Sequence, residues 1–171
     1  TIFRMLSGRC IIVINTPINL DVLPRKVCAH SDKKQLQDQI NKLYLELKNQ
    51  NPKQVLNDIN QLKIKAPGHA LLHYIHGQAL SQVGRSQEAM KQLEMAAALD
   101  CSQWRGNTIY NVIQKRFSEK NEVYYIDFHR LVYKNWGKDS LFFDDLYPQN
   151  LYYEQVSKII VQRINQLLES N

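Results

Sequence analysis

No apolar run in the 171-residue sequence approaches the ~20 residues that cross a membrane as a helix. The apolar run at residues 10–14 has only the length of a strand. The chain begins at Thr1 and its opening residues lack a signal-peptide pattern, so we expect it to start inside a longer product or after processing. No motif predicts a cofactor or a nucleic-acid-binding fold.

The sequence is also poor in cysteine, with only three residues at uneven spacing, Cys10, Cys28 and Cys101. Such an odd number does not predict a disulfide framework, so we expect unpaired and partly buried thiols. Unpaired thiols favour a reducing compartment, cytoplasmic or an organelle matrix, for a soluble protein.

Acidic residues are outnumbered, with 16 Asp and Glu against 22 Lys and Arg, which gives a net charge of +6. The basic residues are dispersed along the chain, a pattern typical of a solvated surface. An acidic or nucleic-acid partner is the other interpretation. Because no arginine-rich run accompanies the charge, we do not expect nucleic-acid binding.

Residues 9–15 form an almost continuous β-branched run that predicts a buried strand of the kind found in parallel sheets, and residues 122–128 predict a second buried strand. Most of the remaining sequence has helical periodicity, including helices over about 106–119 and 151–168. The first of these helices has an apolar stripe of Ile109, Val112, Ile113 and Phe117. The order predicts an α/β fold, predominantly helical, with two parallel strands of an incomplete sheet.

The sequence between the two predicted strands has a period of about 34 residues. Residues 36–69 and 70–103 each predict a pair of helices, and the shift aligns Val55 with Ala89. This period is typical of tetratricopeptide repeats. In the second unit, the small residues Gly77 and Ala89 predict a close approach of the two helices.

The segment FDDLYPQN, residues 143–150, precedes an amphipathic helix and resembles the end of an SGNH/GDSL-type hydrolase. The segments VYYIDF and VINTPINL resemble the last two strands of that family, some of whose members carry tetratricopeptide-like helices between them. The resemblance implies that residues 1–33 and 104–171 form a partial SGNH-hydrolase-like α/β portion. Residues 34–103 would then form the helical repeats.

The same resemblance places Asp144 on the family's catalytic Asp and Tyr147 on its catalytic His. A phenol with a pKa of about 10 keeps its proton at neutral pH and cannot replace the imidazole as base. The family's Gly-Asp-Ser nucleophile segment is also absent from the sequence. The site implied by the resemblance is therefore inactive. A second interpretation is that Asp144 and Asp145 cap the last helix or its turn.

The repeat register also predicts a partner-binding groove on the inner helices, because such helices line a concave surface in repeat proteins. The residues predicted to bind a partner there are Tyr44, Leu71, Tyr74, Gln78 and Ser81. The other interpretation is that two repeats are too few for a free groove and pack on their own domain.

Three histidines, His69, His73 and His76, share one helical face at i, i+4 and i+7, which is a spacing that suits metal ligands. In the repeat register, however, His73 and His76 occupy packing positions between helices. No carboxylate or thiol obviously completes a site, so we predict ordinary packing histidines and no metal.

Three functions are consistent with the sequence. The first is a non-catalytic interaction or scaffold subunit on a degenerate SGNH-like fold. The second is an SGNH/GDSL serine esterase or acyl-hydrolase whose nucleophile-bearing half is on a missing N-terminal segment or another chain. The third is an adaptor without hydrolase ancestry. We expect a protein partner or second copy, not a monomer, to pair at the apolar edge of Ile11, Ile12, Val13 and Ile14.

Overall fold

The computed structural model describes residues 11–27, 34–102, 106–137 and 140–169, the side chain of Leu167 excepted. Within these ranges the strands are β1 (Ile12–Ile14) and β2 (Tyr124–Ile126). The helices are α1 (Lys34–Lys48), α2 (Pro52–Lys65), α3 (Ala70–Gln82), α4 (Ser86–Ala98), α5 (Thr108–Lys120), α6 (Phe128–Tyr133) and α7 (Asn150–Glu169). The predominantly helical fold with two parallel strands is therefore confirmed. Among the described helices, none combines the length and apolarity that a membrane crossing needs.

Helix ends follow local sequence signals. Pro52 lies in the first turn of α2, where its missing N–H group is not needed. Gly84 connects α3 to α4 with a φ of 80°, a conformation that glycine adopts without steric penalty. Asp127 caps α6, because its carboxylate accepts the backbone N–H of Arg130 at 2.9 Å.

The described residues fall into two compact units. The sheet unit comprises residues 11–17 and 109–169, and the helical unit comprises residues 18–108. The sequence predicted the helical module to begin at residue 34, whereas in the structure it also includes the segment after β1.

Backbone hydrogen bonds explain why this segment belongs to the helical unit. The buried carboxylate of Asp100 accepts the N–H groups of Arg25 at 3.3 Å and Lys26 at 3.2 Å. The N–H of Cys101 donates to the carbonyl oxygen of Lys26 at 3.0 Å. Val27 and Asp100 also form an antiparallel bridge. These bonds attach the segment before α1 to the chain that follows α4.

Cys101 corrects the expectation of unpaired thiols, because its sulfur is disulfide-bonded. Cys10 and Cys28 lie outside the described residues. The cysteines therefore no longer favour a reducing compartment.

Helix α3 is the centre of the helical unit. It contacts α1, α2 and α4, and α1 also contacts α2. The core shared by α1, α2 and α3 includes the apolar side chains Leu36, Ile40, Leu43, Leu47, Val55, Ile59, Leu62, Leu72, Ile75 and Ala79. Each amphipathic helix thus buries its apolar stripe, which is the main source of helix stability in proteins.

Gly77 permits a close approach of α3 and α4. A Cβ atom built on this glycine would lie 2.6 Å from Leu93 Cγ and 3.1 Å from the carbonyl oxygen of Ala89. The prediction that Gly77 and Ala89 meet at a close helix contact is therefore confirmed.

In the sheet unit, β1 and β2 pair in parallel, with Ile12 opposite Tyr124 and Ile14 opposite Ile126. Helix α6 follows β2 directly and contacts α7. This pairing confirms the predicted parallel arrangement of the two apolar segments.

Helix α5 exposes its apolar face and buries polar residues, the reverse of the usual arrangement. Its predicted stripe, Ile109, Val112, Ile113 and Phe117, is between 44% and 55% exposed. The polar residues Asn111 and Ser118 are instead buried. Asn111 Nδ2 donates to the carbonyl oxygen of Thr16 at 3.0 Å, and Ser118 Oγ donates to that of Gln114 at 2.9 Å. The periodicity identified the apolar face correctly, but this face is not the buried one.

We expect Gly77→Ala to lower the free energy of unfolding by about 1–3 kcal/mol, because the added methyl group overpacks the contact with α4. Alanine is a better helix former than glycine by about 1 kcal/mol. If the helices did not meet closely at this position, Gly77→Ala should therefore raise the stability. Denaturant unfolding followed by circular dichroism measures the change.

The same substitution in a Leu93→Ala background provides the control. Removal of the leucine side chain should make Gly77→Ala less destabilising than it is in the wild type, as expected for coupled residues. Equal or greater stability of the single Gly77→Ala variant would contradict the close contact.

Candidate functional site

The outer edges of the two-stranded sheet carry backbone groups that no described strand pairs with. The N–H of Asn15 donates to the carbonyl oxygen of Ile126 at 3.3 Å. Alternate residues of a strand face a parallel neighbour, so the backbone groups of Ile12 and Ile14 point away from β2. On β2, the same alternation turns the N–H and C=O of Tyr125 away from β1.

The side chains of β1 are apolar but incompletely covered. Ile12 and Val13 are half-buried, and Ile14 is 36% exposed. Apolar strands of parallel sheets are normally buried on both faces. The strand therefore combines an open backbone edge with apolar side chains that still contact solvent.

A buried polar pair joins the carboxyl ends of the two strands. Asn15 is 3% exposed, and its Nδ2 donates to Asp127 Oδ1 at 2.8 Å. Asn15 Oδ1 accepts the backbone N–H of His129 at 2.9 Å. Because Asp127 also caps α6, the pair ties β1 to β2 and to the start of that helix.

Tyr125 lies beside this pair. Burial and the neighbouring charge of Asp127 raise the pKa of Tyr125 to about 12. Its hydroxyl donates to the carbonyl oxygen of Asn111 at 3.5 Å. The phenol is therefore protonated at neutral pH and serves as a hydrogen-bond donor, not as a base.

A cleft of about 430 Å³ lies against β2. It is lined by Tyr124, Tyr125, Ile126, Asp127, Arg130, Leu131, Lys134 and Ile159. The volume lies within the range of ligand pockets, about 300–1,000 Å³. The cleft thus combines strand backbone, apolar side chains and basic side chains.

The predicted catalytic residues Asp144 and Tyr147 lie in the turn that precedes α7. Asp144 Oδ1 accepts the backbone N–H groups of Leu146 and Tyr147, each at 2.7 Å. The side chain of Tyr147 is 59% exposed. The carboxylate therefore stabilises its own turn, as the turn-capping interpretation predicted. The catalytic assignment stays a prediction.

The five predicted partner-binding side chains are half-buried in the helical unit: Tyr44, Leu71, Tyr74, Gln78 and Ser81. Tyr74 Oη donates to the carbonyl oxygen of Asp21 at 2.8 Å, and Gln78 Nε2 donates to Asp21 Oδ1 at 3.4 Å. Tyr44 and Leu71 pack against the helical core. The chain's own segment around Asp21 thus uses part of the face that the repeat register offered to a partner.

The histidines of the helical face are His69, His73 and His76. The two ring nitrogens of His73 lie 2.8 Å from the carbonyl oxygen of Pro67 and 2.9 Å from Gln92 Oε1. Lys63 Nζ donates to Gln92 Oε1 at 2.7 Å and lies 3.1 Å from His76 Nδ1. Burial and the Lys63 charge lower the pKa of His76 to about 4, so a neutral ring accepts from the ammonium at pH 7. Across the described ranges, no group of three or more His, Cys, Asp or Glu could hold a metal ion.

No family model, curated protein or solved structure matches the chain at a significant level. The function is therefore inferred from the residues and the geometry of this chain alone.

Sequence reasoning did not identify the Asn15–Asp127 pair or the cleft beside β2. Both polar residues fell inside segments that were assigned as strands, residues 9–15 and 122–128. The signal in the sequence was a single polar residue near the end of each apolar run, where the carboxyl ends of parallel strands meet.

We expect Asn15→Asp to lower the free energy of unfolding at pH 7 by about 2–3 kcal/mol. The change removes the amide donor and sets a second carboxylate against Asp127. The repulsion raises the pKa of the carboxyl pair in the folded state, so part of the loss should be regained as the pH falls toward 4. Urea unfolding at both pH values measures the effect.

Asn60→Asp, at an exposed position of α2, is the matched control and should change stability by less than about 0.5 kcal/mol. The pairing would be refuted if Asn15→Asp behaved like this control at pH 7.

Proposed function

We propose that the chain is a non-catalytic interaction subunit that completes its sheet with a strand from a partner protein or a second copy. The outer edge of β1 is the observation that carries this proposal. Ile12 and Ile14 direct backbone groups away from β2, and the strand has no proline or inward charge to protect it. A third strand would pair with these groups and cover the apolar side chains.

Helix α5 supports the proposal independently. Tyr110, Val112 and Ile113 are 62%, 49% and 55% exposed, which is unusual for large apolar side chains on one helix. The hydrogen bond from Asn111 to Thr16 holds α5 against the end of β1. A chain that adds a strand at β1 could therefore cover part of this helix as well.

The proposal includes an SGNH-like α/β unit with inserted tetratricopeptide-like repeats. Two features support it. Five helices of 13 to 15 residues separate the parallel strands β1 and β2 in the chain, and the first four of them belong to the helical unit. In addition, α3 contacts both helices of the preceding pair, which is how successive helical repeats stack.

A second candidate is an SGNH/GDSL-type ester hydrolase whose nucleophile comes from another segment or chain. Only the position of Asp144 before α7 favours it. The carboxylate already accepts two backbone N–H groups of its own turn, and the residue at the position of the base is a phenol. We therefore assign Asp144 a structural role.

We expect the purified chain to associate at high concentration, with a mass by light scattering above the 20.0 kDa of one copy. Ile14→Pro should return it to a monomer, because it removes an N–H that faces away from β2 and blocks the edge. Ile14→Thr keeps the N–H and the branched shape, so it should still associate.

Hydrogen exchange in the same samples identifies the surface. The amides of Ile12 and Ile14 should become protected on association, whereas that of Val13, which faces β2, should be protected throughout. A monodisperse 20.0 kDa protein whose Ile12 and Ile14 amides exchange rapidly would show that the edge needs no partner.

We also expect the chain not to hydrolyse p-nitrophenyl acetate above the rate of a heat-denatured control, because nucleophile and base are both absent. Asp144→Asn is the relevant variant, since it keeps the shape of the turn and removes the charge. Saturable hydrolysis that Asp144→Asn abolishes would favour the ester-hydrolase candidate over the interaction subunit.

A further inference from the structure

Residues of strand β2 form one side of the cleft. Four consecutive residues, Tyr124 to Asp127, line it, and the first three of them form β2. Within this stretch the N–H and C=O of Tyr125 point away from β1. The structure describes no strand on that side of β2. A peptide backbone that lies along this outer edge of β2 would meet one donor and one acceptor of the strand.

The side chains of the cleft have a net positive charge. Arg130 and Lys134 are exposed, and neither forms an ion pair in the part of the chain that is described. The single carboxylate, that of Asp127, already accepts from Asn15 Nδ2 and from the backbone N–H of Arg130. The cations are therefore available to an anionic ligand.

A third cation stands next to the cleft. The Arg163 guanidinium lies 4.5 Å from the ring centre of Tyr124, which is one of the lining residues. Its Nε is buried without a hydrogen-bond partner. Arg163 therefore adds positive potential beside Tyr124.

We propose that this cleft binds an extended acidic peptide segment of another protein, which pairs with Tyr125 through its backbone and with Arg130 and Lys134 through its carboxylates. Leu131 and Ile159 offer apolar contacts for side chains between the acidic ones. Strand addition of this kind takes affinity from main-chain hydrogen bonds and specificity from side-chain pockets.

A second copy of the chain fits the cleft less well than an acidic partner. Each copy carries a net charge of +6, so docking two copies at a basic cleft brings like charges together. A small anion could neutralise the cations but would leave the Tyr125 backbone groups unpaired. The two kinds of group together favour a carboxylate-rich peptide.

Fluorescence anisotropy with labelled seven-residue peptides tests the proposal. A peptide of alternating glutamate and valine should bind, whereas alternating lysine and valine should bind at least tenfold more weakly. The glutamate peptide with every backbone nitrogen methylated should lose at least tenfold in affinity, because it cannot donate to the strand. Equal binding of the methylated peptide would overturn the strand-pairing part of the proposal.

Charge reversal at the cleft provides the protein side of the test. The double variant Arg130→Glu with Lys134→Glu should bind the glutamate peptide at least tenfold more weakly than the wild type does and should bind the lysine peptide more tightly. Lys53→Glu with Lys91→Glu changes the net charge equally at exposed positions of the helical unit and should leave cleft binding nearly unchanged. Equal losses of peptide affinity in the two double variants would show that only long-range charge acts, and would overturn the assignment of the site. If the reversed protein does not fold, Arg130→Gln with Lys134→Gln replaces it.

Two further measurements distinguish strand pairing in this cleft from binding at β1 and from simple anion binding. Ile14→Pro alters the opposite edge of the sheet, so the peptide should bind that variant as it binds the wild type. Loss of binding in a folded Ile14→Pro variant would show that the peptide binds at β1 and would overturn the assignment to the cleft. Complete displacement of the peptide by free glutamate at equal carboxylate concentration would also overturn it, since only an anion site would remain.

Discussion

The sheet unit depends on the hydrogen bonding of a two-stranded parallel sheet. Each strand can offer only half of its backbone groups to its neighbour, so a pair of strands leaves the other half at its two outer edges. More strands or a covering element normally satisfy such edges, and a pair alone is marginally stable. Asn15 and Asp127 compensate in part, because their side chains join the strand ends and the first turn of α6. The sheet is thus held together at its carboxyl end, and among the described residues no further strand pairs with either outer edge.

The helical unit is stabilised by burial of apolar side chains in a shared core. Its helices surround α3, and their apolar stripes meet in one core. The segment around Asp21 then uses Tyr74 and Gln78, so a face available in longer repeat arrays is partly covered by the chain itself. For this reason the partner binding that we propose is placed on the sheet unit.

Apolar periodicity was sufficient to predict α1 to α4, because each of these helices is stabilised by burial of its stripe. The parallel pairing followed instead from two short apolar segments separated by helices, an order typical of α/β folds. Periodicity failed at α5, because it identifies the apolar face of a helix but not whether another element covers that face. A polar residue near the end of each apolar run indicated where Asn15 and Asp127 lie, but their pairing depends on the register of two strands that are distant in sequence. Similarly, the Asp100 bonds that hold the segment before α1 have no periodic signal.

The bridge between Val27 and Asp100 has a consequence for the order of folding. Pairing β1 with β2 in an unfolded chain closes a loop of nearly the 112 residues that separate Asn15 from Asp127. Once the helices have assembled and this bridge has formed, the flexible chain between β1 and β2 is roughly threefold shorter. The entropic cost of closing the loop then falls by about 1 kcal/mol. Local helix pairs also form faster than distant strand pairs. We therefore expect the helical unit to assemble first and the sheet last, which would leave the strand edges accessible to neighbouring chains for the longest part of folding.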